Sequence, residues 1–227
     1  TGAENTAVGR KALEQNTTGS YNTALGSHAL DANTTTSSLT AIGASALGAN
    51  TSGSNNTAVG ASALAVNTTG GYNTAVGNAT LDANTSGSQN TGLGYQTLTA
   101  NTTGANNTAV GYDTLKAVTT GNGNNAVGST ALMRVTTGGA NSAIGYGAGD
   151  HITTGVRNIC IGGESSTALT TGNSNTAVGY GALPNLTTGH GNVSLGDVSV
   201  ITTRLFDVTT ESDRLMVGHH NTTHSYV

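Results

Sequence analysis

A chain of 227 residues with 34 glycines, 8% charged side chains, 4% aromatic side chains and no tryptophan cannot fill the broad core of an ordinary globule. A formal net charge of -4 with only 7 Lys plus Arg leaves no basic field to hold phosphates, so nucleic acid has no electrostatic footing. A glycine spacing that is not a triplet, with the single proline Pro184, excludes collagen, and the lone Cys160 excludes an intrachain disulfide framework.

Taken in order, the chain opens on a motif that sets everything after it. NTAVG at Asn5 to Gly9 returns with glycine at 9, 26, 43, 60, 77, 94, 111, 128, 145, 162, 179 and 196, every step being 17. Helical repeats need roughly 20 to 50 residues per unit, whereas this short, glycine-marked period fits one coil of a β-solenoid. The fold expected is all-β: a parallel β-solenoid or β-roll of about twelve coils over residues 1–196, with a C-terminal β stem or connector over 197–227. Thr1-Gly2 falls at the tail of a coil, which reads as the continuation of an earlier one. No apolar run approaches the roughly 18 residues of a membrane span, so insertion in a membrane is not expected, and no signal segment opens the sequence.

Within a coil numbered from the Asn of NTAVG, the fourth position is always branched and apolar, from Val8 and Leu25 to Val178 and Leu195. It is expected to be the main core ladder, with the ninth position, mostly Leu, as the second. Neighbours along a strand point to opposite sides. The third position therefore faces outward on this reading, and its small residues, Ala7, Ala24, Ala41, Ala58, Ala75, Ala109, Ala126, Ala143, Cys160 and Ala177, are the expected contact surface between chains. A large charge at Ala75 or Ala109 should then disturb assembly more than fold. Each coil offers about two large apolar side chains, worth roughly 1.5 to 3 kcal/mol apiece. Ordering the backbone costs about 1 to 2 kcal/mol per residue, which favours partner chains and a homotrimer.

The second glycine of the coil, in NTTG, is expected at a corner with positive φ. The residue before TT is Asn16, Asn33, Asn50, Asn67, Asn84 and Asn101, then Val118, Val135, Ile152, Leu169 and Leu186. Stacking like on like makes this an amide ladder that gives way to an aliphatic one, partly buried in both cases. The Asn-Thr-Thr triplets match a glycosylation acceptor, but a laddered, inward Asn would be poorly accessible. TTTSSLTAIG, where Thr36 replaces the glycine and Leu39 the next Asn, marks an irregular coil.

On these motifs the chain resembles repeat-bearing tail fibres and tail spikes of bacteriophages, in which NTAVG and ALxxNTTG repeats precede an endosialidase-type intramolecular chaperone. It is also similar, with a longer repeat, to the β-roll heads of YadA-type trimeric adhesins. The likeness covers Asn5 to about Gly196, and Arg214 to Val227 looks like the connector into such a chaperone, whose self-cleavage motif is not present here. The resemblance implies a homotrimeric, non-enzymatic rod in a virion tail or another extracellular setting. Its implied partners are other copies of itself, other virion tail proteins and a glycan or protein receptor on the host surface. A bacterial surface adhesin or filament subunit is the alternative.

The chemistry-bearing residues are few, and no cofactor is expected. Acidic residues occupy different positions of the coil, with no recurrent carboxylate pair for glycoside cleavage. His219, His220 and His224 are the only histidine cluster and meet a metal-ligand spacing loosely, so polar stem histidines are the reading preferred. Tyr95, Tyr112, Tyr146 and Tyr180 all stand at the sixth position, either as a receptor-binding stripe or as cover for the corner. Paired threonines raise ice binding, but successive strand residues alternate sides, so only one threonine rank could face solvent.

Overall fold

The structure, a computed structural model, describes residues 2–197 and 209–217. Among these residues are thirteen strands of three residues each and no helix, from β1 (Thr6–Val8) to β12 (Val193–Leu195) and β13 (Leu215–Val217). They form one parallel sheet in strict chain order. Thr6 pairs with Thr23, Ala7 with Ala24 and Val8 with Leu25, and the same register of 17 recurs up to β12. From β12 to β13 the register lengthens to 22, pairing Val193 with Leu215. Met216 takes the alanine slot there and packs against the core. The solenoid sheet therefore continues past the boundary expected at 196.

The strand places its side chains the opposite way round from the expectation. Ala24, Ala41, Ala58, Ala75, Ala109, Ala126, Ala143 and Ala177 are 0% exposed and Cys160 is 1% exposed within a single chain. The branched fourth position is the outward one. The ninth-position leucines are interior as expected, and Ala29, Ala46, Ala63 and Ala131 at the eighth position join them. The reason is space. A Cβ built on Gly149, which replaces a ninth-position Leu, would meet Cys160 Sγ at 3.2 Å, so the third and ninth positions touch inside the coil. One wall is filled by Leu, which leaves the other room for little more than a methyl.

Backbone conformation explains the short strands. The strand glycine has φ between 118 and 142°, which a side chain rarely adopts. Three further positions turn through the left-handed region without needing glycine, as at Lys11, Leu13 and Tyr21 with φ of 62, 53 and 60°. A left-handed leucine in nearly every coil, at roughly 1 to 2 kcal/mol, persists because its side chain fills the core. The NTTG glycines differ from expectation, because Gly53, Gly70 and Gly87 are not among the positive-φ residues. They are required by close approach, since a Cβ on Gly53 would collide with the carbonyl oxygen of Gly70 one coil on.

Two asparagine columns satisfy this crowded corner. Asn56 and Asn67 both donate to the Gly70 carbonyl, at 2.7 and 2.9 Å, and Asn67 Nδ2 also donates to Asn50 Oδ1 at 3.0 Å. Asn33, Asn50, Asn67, Asn84 and Asn101 are 0% exposed, which closes them to glycosylation as the ladder argument expects. Thr68 Oγ1 donates to the Thr85 carbonyl at 3.0 Å, one of a column of such bonds that ties the TT segment from coil to coil.

Candidate functional site: the outward strand face and the tyrosine corner

Two surfaces stand out once the interior is assigned. The first is the outward side of the sheet, made of the second and fourth positions of every coil. Val8, Leu25, Val127 and Ile144 are 56, 47, 44 and 52% exposed, and Val76, Leu93, Ile161, Leu195 and Val217 are exposed as well. Beside them runs Thr6, Thr23, Thr40, Thr57, Thr74, Thr91 and Thr108, and no charged residue occupies either rank in any coil. A branched side chain has roughly 60 to 120 Å² of apolar surface on the transfer scale, so eight exposed and four partly buried ones leave on the order of 400 Å² open. That matches the largest apolar patch of an ordinary monomer, the kind of patch that often serves an interaction. The alanines expected at an interface cannot supply one, because all but the terminal Ala7 lie inside the chain.

The second surface follows the strand glycine. Positions six, seven and ten carry Arg10, Lys11, Glu14, His28, Asp31, Asp82, Asp113, Lys116, Asp150 and Glu164, together with the four tyrosines. Side chains at positions seven and ten of one coil meet, Lys11 with Glu14 at 3.1 Å and Asp113 with Lys116 at 3.0 Å as ion pairs, and His28 Nδ1 with Asp31 at 3.0 Å as a hydrogen bond. The left-handed residue at position seven aims its side chain at position ten, a spacing legible in the sequence as a recurrent charge pair.

The tyrosines keep about half of their surface open: Tyr95, Tyr112, Tyr146 and Tyr180 are 46, 53, 63 and 52% exposed. Tyr95 and Tyr112, on adjacent coils, stack with ring centroids 5.6 Å apart and planes within 6°. Tyr180 donates its hydroxyl to Glu164 Oε2 at 2.9 Å, which raises its pKa because the neutral phenol is the donor. Lys116 Nζ bridges Asp113 Oδ2 and Gln96 Oε1, both at 3.0 Å, beside the stacked pair. Sequence reading passed over the contact of Gln96 with Lys116, because only the coil register brings residues 20 apart together. Tyr21 and Tyr72 are exposed too, at the last position of their coils, on the corner before the strand.

Elsewhere the titratable groups have structural settings. Burial pushes the Cys160 thiol up to about 11. Among the described residues no group of three His, Cys, Asp or Glu side chains is placed to hold a metal ion. His219, His220 and His224 lie outside the described residues. No family model, curated protein or solved structure matches this chain.

Proposed function

We propose that this chain is the shaft of a non-enzymatic, homotrimeric fibre of the bacteriophage tail-fibre or tail-spike kind, placed in a virion tail or on a cell exterior and used in host attachment. The observation that carries the reading is the charge-free strip along the outward sheet, branched in every coil and flanked by threonine in most of them. With the threonine rank added, the strip approaches the roughly 800 Å² per partner of a stable interface. Identical strips on parallel copies complement one another coil by coil, and the trimer count comes from the resemblance. The ionisable and aromatic corner then remains on the outside, free to meet a host glycan or protein, while the shaft joins other tail proteins end to end. A bacterial surface adhesin uses the same architecture in another setting.

Light scattering of the purified chain tests the assembly. A mass of three chains is expected, falling to one in the double variant Val76→Lys and Val127→Lys with its circular dichroism unchanged. A wild-type monomer at high micromolar concentration would sink the proposal. One observation favours a second reading: threonine and a branched residue stand side by side as two outward ranks on a regular sheet, the arrangement that paired TT residues could not supply. Thermal hysteresis with faceted ice growth in a monomeric sample would select it.

A further inference from the structure

The stacked tyrosines define a direction. Tyr95 and Tyr112 occupy equivalent positions on adjacent coils and lie parallel at 5.6 Å, so their faces look along the rod. The outer face of Tyr112 is turned toward the next coil, where Ser129 takes the tyrosine position, and Tyr146 follows one coil further. With coils at the strand spacing, the backbones at Tyr112 and Tyr146 stand roughly 9.6 Å apart, which is room for one further ring between side chains that project as Tyr95 and Tyr112 do.

We propose that this one-coil gap, walled by Tyr112 and Tyr146 and floored by Ser129, is a slot for the terminal pyranose ring of a neutral glycan. The inference rests on the attachment reading and gives it a ligand class. Two aromatic faces suit the C–H faces of a pyranose. Among the described residues the hydroxyls of Tyr112, Ser129 and Tyr146 make no hydrogen bond, leaving three partners for sugar hydroxyls. Lys116 is paired with Asp113 at 3.0 Å beside Tyr112, and the carboxylate of Glu164, whose backbone N–H donates to the Tyr146 carbonyl at 2.8 Å, repels an anionic sugar. The other such gap is closed. Where Gly163 separates Tyr146 from Tyr180, a Cβ on Gly163 would meet the Tyr180 ring at 3.4 Å, and Glu164 holds that tyrosine's hydroxyl at 2.9 Å. A terminal ring fits better than an internal one, because its free edge can reach the floor.

Saturation-transfer NMR on the whole chain tests the slot, using methyl β-glucopyranoside, methyl β-galactopyranoside, methyl α-mannopyranoside and N-acetylglucosamine, with sialic acid and p-nitrophenol as contrasts. At least one neutral sugar should show transfer to its ring protons. Affinity should fall by about tenfold in Tyr112→Ala and in Ser129→Tyr, which fills the gap with a further ring, and should not change in Tyr180→Phe. No transfer to any neutral sugar, binding of sialic acid or p-nitrophenol alone, or binding unaffected by Ser129→Tyr would overturn the proposal. Light scattering on the same samples separates the two ideas. A monomer with Ser129→Tyr-sensitive sugar binding refutes the fibre and keeps the slot, whereas a trimer that binds no neutral sugar does the reverse.

Discussion

From Asn16 to Asn101 the twelfth position of the coil is an amide, and from Val118 to Leu186 it is aliphatic, yet the strands stay in one register across the junction. In the first region two asparagine columns share the corner carbonyl of every coil but the irregular one, as Asn73 and Asn84 share Gly87. In the second, the first-position column closes on itself. Asn141, Asn158, Asn175 and Asn192 each donate both to the corner carbonyl and to the asparagine one coil back, the latter at 3.0 to 3.1 Å. The same corner is thus satisfied with either neighbour, and the difference lies in direction. An amide column must be complete, because an orphaned buried amide costs about 1 to 3 kcal/mol. An aliphatic column contributes by burial alone and has no partner to lose. The orphans fall where the amide column is interrupted or ends: Asn33 Oδ1 and Asn50 Nδ2 beside the irregular coil, and Asn101 Oδ1 facing Val118.

The largest effect should come from what the two regions share. Ala75→Glu and Ala126→Glu place a charge against the leucine wall in the first and second regions, and each should cost roughly several kcal/mol and unfold the neighbouring coils. Denaturation midpoints left unchanged in both would overturn the inward assignment of alanine. A smaller effect separates mid-column from column end. Asn67→Val strands Asn50 Oδ1 and Asn84 Nδ2 from their ladder partner, and about 2 to 4 kcal/mol is expected. Asn101→Val only moves the existing orphan oxygen back to Asn84, so it should cost clearly less in the same urea titration. Equal losses would mean that the column does not act as a connected unit.

Two finer measurements address the second region alone. Cys160 sits in the alanine column with its thiol pushed up to about 11, so a thiol-disulfide reagent should react only after denaturant is added. Reaction in native buffer would show that the aliphatic region opens locally. The smallest effect belongs to Tyr180, whose pKa is raised by the bond to Glu164. Its stabilising contribution is present below the ordinary phenol range and is lost as pH rises through the raised folded value. In an alkaline absorbance titration one phenol should ionise late, and Glu164→Gln should remove that delay.

Much of this was legible in the sequence. The repeat fixed the strand register, the parallel order, the leucine ladder and the change from amide to aliphatic, since stacked coils put like residues on like. The opposed charges three apart at Asp113 and Lys116 were legible as well. Two things were not. The role of the NTTG glycine depends on a carbonyl one coil away, and no local rule separates that from a need for positive φ. The sidedness of Thr-Ala-Val was inverted, because alternation says that Ala and Val face opposite ways but not which way is in. Only the closed coil decides that: a ninth-position leucine crosses a narrow interior and leaves space for a methyl. The branched side chain, larger and more apolar, is turned outward because it does not fit.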